Sequence, residues 1–273
     1  GYIDTASGPR MAVWSSLPAP VILGSGYAMA INGSGEIAGM RIGADGSGSA
    51  FVTQNGAVLG LGQPAGGDWS KATGVNDTGG VSGTAMDGNG SLRAFSVING
   101  VTTLLGGAGG ANSYANSING AGAIVGTAQR ADGAMRAVIW NGIAPTLLGS
   151  LGGTNSYAYD INGNGVTVGY GDLAGGAGTA GFVYDSGAIY DLNLRLAANS
   201  GWRLLDAMAI NNSGQIVGRG LFEGVEQAYL LTPMTPLAAA DAVAPTNVPE
   251  PRTLLLMGAA LMSLLVLRGS PKN

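Results

Sequence analysis

The stretch Ser117-Ile118-Asn119-Gly120-Ala121-Gly122-Ala123-Ile124-Val125-Gly126 decides how this chain folds, because its pattern recurs. Copies run AINGSGEIAG from Ala30, GVNDTGGVSG from Gly74, DINGNGVTVG from Asp160 and AINNSGQIVG from Ala209. Their shared asparagines are Asn32, Asn76, Asn119, Asn162 and Asn211, spaced 44, 43, 43 and 49 residues apart. A second block follows each copy: SAFVT at Ser49, RAFSVI at Arg93, RAVIW at Arg136, AGFVY at Ala180 and QAYLL at Gln227. A third follows in the early units: AVLGLG at Ala57, TTLLGGAGG at Thr102 and PTLLGSLGG at Pro145. Regular spacing and constant order define a repeat protein.

Each unit reads as four short strands. The first ends at Ile-Asn, as in Tyr157 to Ile161. Asn-x-x-Gly then makes a tight turn, with the amide at its start and glycine where φ must be positive. The Ile-Val-Gly stretch is the second strand, a Gly/Asp loop follows, Phe51, Phe95 or Phe182 marks the third, and Thr-Leu-Leu-Gly the fourth. Short strands joined by glycine-rich turns are an all-β signature, and four strands in roughly 43 residues match a propeller blade. The expected fold is therefore an all-β, β-propeller-like repeat domain of about five to six four-stranded blades, with a β-solenoid as the alternative. Ile31, Val75, Ile118, Ile161 and Ile210 should be equivalent and buried.

The chain begins inside a unit: Gly1-Tyr2 aligns with Gly169-Tyr170, Arg10 to Trp14 with a third strand, and Val21 to Gly24 with a fourth. No basic and apolar leader stands at the start, so the expectation is a longer chain whose N-terminal segment held the export signal. The last unit carries about six extra residues within DLNLRLAANSGWRLLDAMA (Asp191 to Ala209), where Leu192, Leu194 and Leu196 alternate; it reads as an atypical closing unit.

Composition narrows the chemistry. Glycine numbers 50 of 273 residues, against an average of about 7 per cent. That density excludes long helical bundles. Hydrophobic residues make up 46%, enough for a core. Lysine plus arginine is 12 against 16 acids, which gives no support for nucleic-acid binding. With no cysteine and no histidine, disulfides, thiol nucleophiles, the usual zinc sites and imidazole-based triads are all excluded. No cofactor is expected.

Composition shifts after Thr232. Residues 233–247 are rich in proline and alanine and read as a linker. Val248-Pro249-Glu250-Pro251 follows, then fourteen uncharged residues from Leu254 to Leu267, then Arg268 and Lys272. The apolar run predicts a C-terminal helix, and the basic flank places its end in the cytoplasm and the repeats outside. This tail resembles the PEP-CTERM sorting signal of Gram-negative bacteria. The resemblance implies an exosortase-type processing enzyme and the membrane as partners of the tail, Val248 to Pro251 as the sorting motif, and an exported destination in the cell envelope or outside the cell, often linked to exopolysaccharide. The repeats resemble the HAF family of extracellular repeats over nearly all of Gly1 to Pro233. The family's His-Ala-Phe is here Ser49-Ala50-Phe51, Arg93-Ala94-Phe95, Arg136-Ala137-Val138, Ala180-Gly181-Phe182 and Gln227-Ala228-Tyr229, so no role resting on the histidine carries over.

Few residues stand out as sites. The repeated asparagines are read as turn caps. Asp87-x-Asn89-x-Ser91 is a fragment of a calcium loop without its terminal glutamate, and Asp-Gly is also ordinary turn chemistry. Trp14 and Trp140 sit at equivalent third-strand ends and are read as packing; Trp69, in GGDWSKA, is read as a loop residue able to stack on a sugar. No feature picks a carboxylate pair for glycoside cleavage. The organisation expected is a repeat domain over 1–232, a linker over 233–247 and a sorting segment over 248–273 with a short transmembrane helix over 254–267. The expected function is non-catalytic: a cell-surface or matrix protein binding an exopolysaccharide, another glycan or a surface protein through its loops. The alternative is a secreted carbohydrate-active enzyme, glycosidase or lyase.

Overall fold

The computed structural model describes residues 1–6, 8–14, 20–234 and 253–257. The Asn-x-x-Gly turn forms as its chemistry dictates. The N–H of the glycine donates to the asparagine carbonyl at 3.0 or 3.1 Å in all five copies. At Gly122 φ is 83°, a left-handed conformation that a Cβ would disfavour.

Two compact units divide the chain, Gly1–Leu147 and Leu148–Asn273. The first opens with β1 (Tyr2–Thr5), β2 (Gly8–Val13) and β3 (Val21–Ile31), followed by β4 (Ile37–Ile42), β5 (Gly48–Gln54) and β6 (Ala57–Gly62). Then come β7 (Gly66–Val75), β8 (Val81–Asp87), β9 (Leu92–Ile98) and β10 (Val101–Leu104). A separate four-stranded sheet contains β11 (Gly109–Ile118), β12 (Ile124–Arg130), β13 (Met135–Trp140) and β14 (Pro145–Gly149). The second unit holds the sheet β15 (Gly152–Ile161), β16 (Thr167–Leu173), β17 (Thr179–Asp185) and β18 (Ala188–Asp191). Its other sheet is made of β19 (Trp202–Leu204), β20 (Ala209–Ile210), β21 (Ile216–Phe222), β22 (Val225–Met234) and β23 (Thr253–Met257). Among the described residues the only helical pieces are two 3-10 turns, Ala174–Gly176 and Leu192–Arg195.

Strands of one repeat pair antiparallel in sequence order, the connectivity of a propeller blade. Strand β3 serves two sheets: Val21 to Ser25 pair with β2, and Gly26 to Ile31 with β4. Its N-terminal half is therefore the fourth strand of the unit that β1 and β2 begin. First strands are longer than the sequence pattern suggested, ten residues in β7, β11 and β15. Register shifts at Gly152/Ser156 and Ala158/Asp160 let β15 bend along β16.

The glycine of each Ile-Val-Gly block is a packing requirement. A Cβ on Gly126 would collide with the Tyr114 carbonyl oxygen across the sheet, and Gly39, Gly83, Gly169 and Gly218 meet the equivalent carbonyl. The third-strand aromatics Phe51, Phe95, Phe182 and Tyr229 lie over four of these glycines and are buried. Buried clusters recur accordingly: Phe95 with Val75 and Val81 in one, Trp140 with Ile118 and Ile124 in the next, Leu204 with Ile216 and Leu231 in the second unit.

Three expectations are corrected. Val75, Ile118, Ile161 and Ile210 are buried, but Ile31 is 62% exposed. Ile118 is covered by Gly74 of the preceding repeat; the unit before Ile31 contributes β1, β2 and part of β3, none of them a first strand. The inserted stretch after Asp191 forms the 3-10 turn Leu192–Arg195. Trp69 belongs to β7 rather than a loop, because a long bulged first strand absorbs the residues before Lys71. Finally, the apolar helix expected over Leu254–Leu267 is not shown: Thr253–Met257 is a strand running parallel to β22, and residues 258–267 lie outside the described residues. Leucine-rich backbone can satisfy its hydrogen bonds along an open sheet edge as readily as in a helix.

Candidate functional site

The repeated turns hold structural chemistry. The Asn76 side-chain oxygen accepts N–H bonds from Thr78 at 3.1 Å and Gly80 at 2.7 Å, and the other four asparagines make the same pair. The amide also donates onward, a role the repeat pattern did not suggest. Asn32 bonds the Asn76 carbonyl at 2.9 Å, Asn76 bonds Asn119 at 2.8 Å, and Asn162 bonds Asn211 at 3.1 Å. A serine six residues before the asparagine works alongside: Ser70 and Ser113 accept from Ala50 and Ala94 of the preceding repeat.

Asp87 repeats the asparagine geometry at the next hairpin. Its Oδ1 accepts from the N–H groups of Asn89 and Ser91, each at 2.9 Å, so the ordinary turn accounts for the acid. Asn89 is exposed. Among the described residues no group of three acids stands ready for a cation. Trp69 is half-buried against Gly48, with the Lys71 ammonium 5.8 Å from its ring centroid. Trp140 is 1% exposed, as packing requires, whereas the packing reading is corrected for Trp14, which is 54% exposed with its ring against Gly1. The sorting motif Val248 to Pro251 lies outside the described residues.

The second unit contains two arrangements that the repeat pattern concealed. One is a polar and aromatic cluster. Tyr157 and Tyr170 stack with centroids 4.8 Å apart, and Tyr159 tilts against Tyr170 at 5.4 Å. Burial pushes the Tyr170 phenol up to about 12, helped by Tyr159 beside it. Burial likewise raises Tyr159 and Tyr229. Nearby, Asp206 is buried and fully engaged: Oδ1 accepts the Arg219 N–H at 2.8 Å, while Oδ2 accepts its Nε at 2.8 Å and a terminal nitrogen at 2.6 Å. Arg219 also reaches Glu226 at 3.3 Å. Tyr157, Tyr170, Asp206 and Arg219 occupy the same two repeat positions, five residues before and eight after the asparagine. Reading the repeat for its variable positions would have found them.

The other is a cavity of about 600 Å³ beside the inserted turn, lined by Ser150, Leu151, Leu173, Ala174, Ile189, Tyr190, Asp191, Leu194 and Arg195. Its size falls in the range of ligand pockets. One acid lines it, Asp191, whose Oδ1 is tied to the turn by the backbone N–H of Asn193 at 2.8 Å and its side-chain amide at 3.0 Å.

No protein-family model matches the chain, and neither does any curated protein. Similar solved structures include a chain from Agrobacterium tumefaciens described as a TolB, at TM-score 0.48 and 14% identity over 79% of each chain. An arginine-to-alanine triple mutant of AofleA from Arthrobotrys oligospora gives a TM-score of 0.41 and 14% identity, over 85% of this chain and 82% of that one. A puromycin-hydrolyzing peptidase from Mycobacterium tuberculosis gives 0.41 and 13%, over 85% of this chain and 36% of the peptidase.

Proposed function

We propose that this chain is an exported repeat protein of the bacterial surface or matrix that binds a glycan or a surface protein without catalysis. Its blade-like sheets would form a five- or six-bladed propeller. The tail would be handled by an exosortase-type enzyme at Val248 to Pro251. The observation that carries the binding reading is the cavity beside the inserted turn. It has the volume of a ligand site yet presents a single carboxylate, whereas glycoside cleavage by the usual route needs two.

A carbohydrate-active enzyme is the second reading, favoured by Asp206 and Glu226 converging on Arg219 near three tyrosines. Against it, both oxygens of Asp206 are occupied by Arg219. A glycan array together with a polysaccharide-degradation assay separates the readings. Binding without chain shortening is expected; release of new reducing ends that disappears in Asp206→Asn would establish the enzyme instead.

A further inference from the structure

We infer that the cavity beside the 3-10 turn Leu192–Arg195 is a binding site for an acidic sugar unit, whose carboxylate pairs with Arg195 while its carbon face rests on the aliphatic wall. The inference rests on the glycan-binding reading above and names the class of glycan.

The interruption of the repeat places the site. Four successive asparagines keep a period of 43 or 44 residues, and the step to Asn211 is 49. The extra residues follow β18 and form the turn that brings Leu194 and Arg195 to the cavity. The turn is anchored from beneath. Leu192 is fully buried. The Asn193 side chain donates to the Leu204 carbonyl at 3.0 Å and accepts the Leu204 N–H at 2.7 Å. Asp191 caps the turn through the Asn193 bonds already described. A rim held this firmly loses little freedom when a ligand arrives.

Charge and shape then select the ligand. The Arg195 guanidinium carbon lies 4.4 Å from the centroid of the Tyr190 ring, which orients the cation without neutralising it. Among the described residues Arg195 forms no ion pair. A guanidinium in this state is suited to bidentate recognition of a carboxylate. Leu194 is 83% exposed at the same rim, and Leu151, Leu173 and Ile189 continue the aliphatic wall. The Asp191 carboxylate, engaged with Asn193 through Oδ1, is the one opposing charge. A uronic acid supplies the matching pair of features, a ring carboxylate and a C–H face, on a body that fits the volume.

Calorimetric titration of the full chain with trigalacturonate and maltotriose tests this, beside Arg195→Gln and Leu194→Ser. Both substitutions fall on partly or fully exposed side chains, and an unchanged thermal midpoint confirms that the fold survives. Trigalacturonate should bind and maltotriose should not. Arg195→Gln should weaken trigalacturonate binding about tenfold or more, the scale of a lost charged hydrogen bond, and Leu194→Ser should weaken it several-fold. Rising salt should weaken the wild-type complex. If trigalacturonate binds equally to Arg195→Gln, or fails to bind while other glycans bind, the site assignment is wrong and the glycan-binding function stands. If no glycan on an array binds, that broader reading falls as well.

Discussion

Asn76 shows what one side chain contributes to this repeat. Its oxygen closes the turn and its amide crosses to the Asn119 carbonyl, and it is only 6% exposed. Asn211 makes the same turn bonds in the open, with its amide turned to the Gln215 side chain. Asn76→Ala should therefore cost about 2–3 kcal/mol, because the Thr78 and Gly80 N–H groups lose their acceptor and the Asn119 carbonyl is left with the Gly122 N–H alone. Asn211→Ala should cost about 1 kcal/mol or less, since water replaces the amide. Urea unfolding of the two variants measures the difference, and equal losses would refute the burial argument. Glycine offers a sharper contrast. Gly126→Ala drives a Cβ into the Tyr114 carbonyl, while Gly120 has open space around its Cβ position and no left-handed φ. The first should cost about 2–4 kcal/mol and the second should stay within about 0.5 kcal/mol. Tyr170 adds a pH dependence. Its folded value is about 12, whereas an unfolded tyrosine ionises near 10. Between about pH 10 and 12 the native state keeps a proton that the unfolded state has lost, so stability is complete below pH 10 and falls as pH rises through that window. Tyr170→Phe should flatten the fall, monitored by chemical denaturation across the alkaline range; an unchanged slope would rule out Tyr170 as the group responsible.

Strands and turns divide into those the sequence announces and those it hides. Asn-x-x-Gly marks every first hairpin because the required φ and the capping oxygen are local demands, satisfied by residue type alone. The third-strand aromatics were equally legible, and their burial over Gly39, Gly83, Gly169 and Gly218 explains why aromatic and glycine recur in step. Strand length was not legible: the bulges in β7, β11 and β15 come from packing along the neighbouring strand, which no single residue encodes. Exposure of Ile31 depends on what the preceding sheet provides, again a non-local fact. The inserted turn was visible only as a break in period. Leu192 is buried while Leu194 points to solvent, because the Asp191 cap and the Asn193–Leu204 bonds bend the chain into a 3-10 turn. The candidate site was hidden for the same reason. Arg195 acquires meaning only when the fold brings Tyr190 beneath it.

At the scale of the whole molecule the tail meets the repeats at the edge of the last sheet. The apolar segment has two competing uses. As a sorting element it would leave the repeats and enter a membrane; as Thr253–Met257 it completes the edge of the last sheet, paired in parallel with Leu230 to Met234. No helix among the described residues is long and apolar enough to cross a membrane. The energetics favour an edge that tolerates removal of its cover. The core of that sheet is built by Val168, Leu192, Trp202, Leu204, Ile210, Ile216, Tyr229 and Leu231, all upstream of the linker, and an added parallel edge strand contributes less per residue than an antiparallel one. Deleting Pro249 to Asn273 should therefore lower the thermal midpoint by no more than about 5 °C, equivalent to roughly 1–2 kcal/mol in a domain of this size. The same deletion should release the protein from the membrane fraction of its host, if the tail acts as the proposed sorting signal. Calorimetry on the purified deletion and fractionation of expressing cells give the two readouts independently. Global unfolding would show that the strand is integral to the last sheet. Retention of a stable, folded deletion in the membrane fraction would instead show that the repeats, not the tail, hold the protein there.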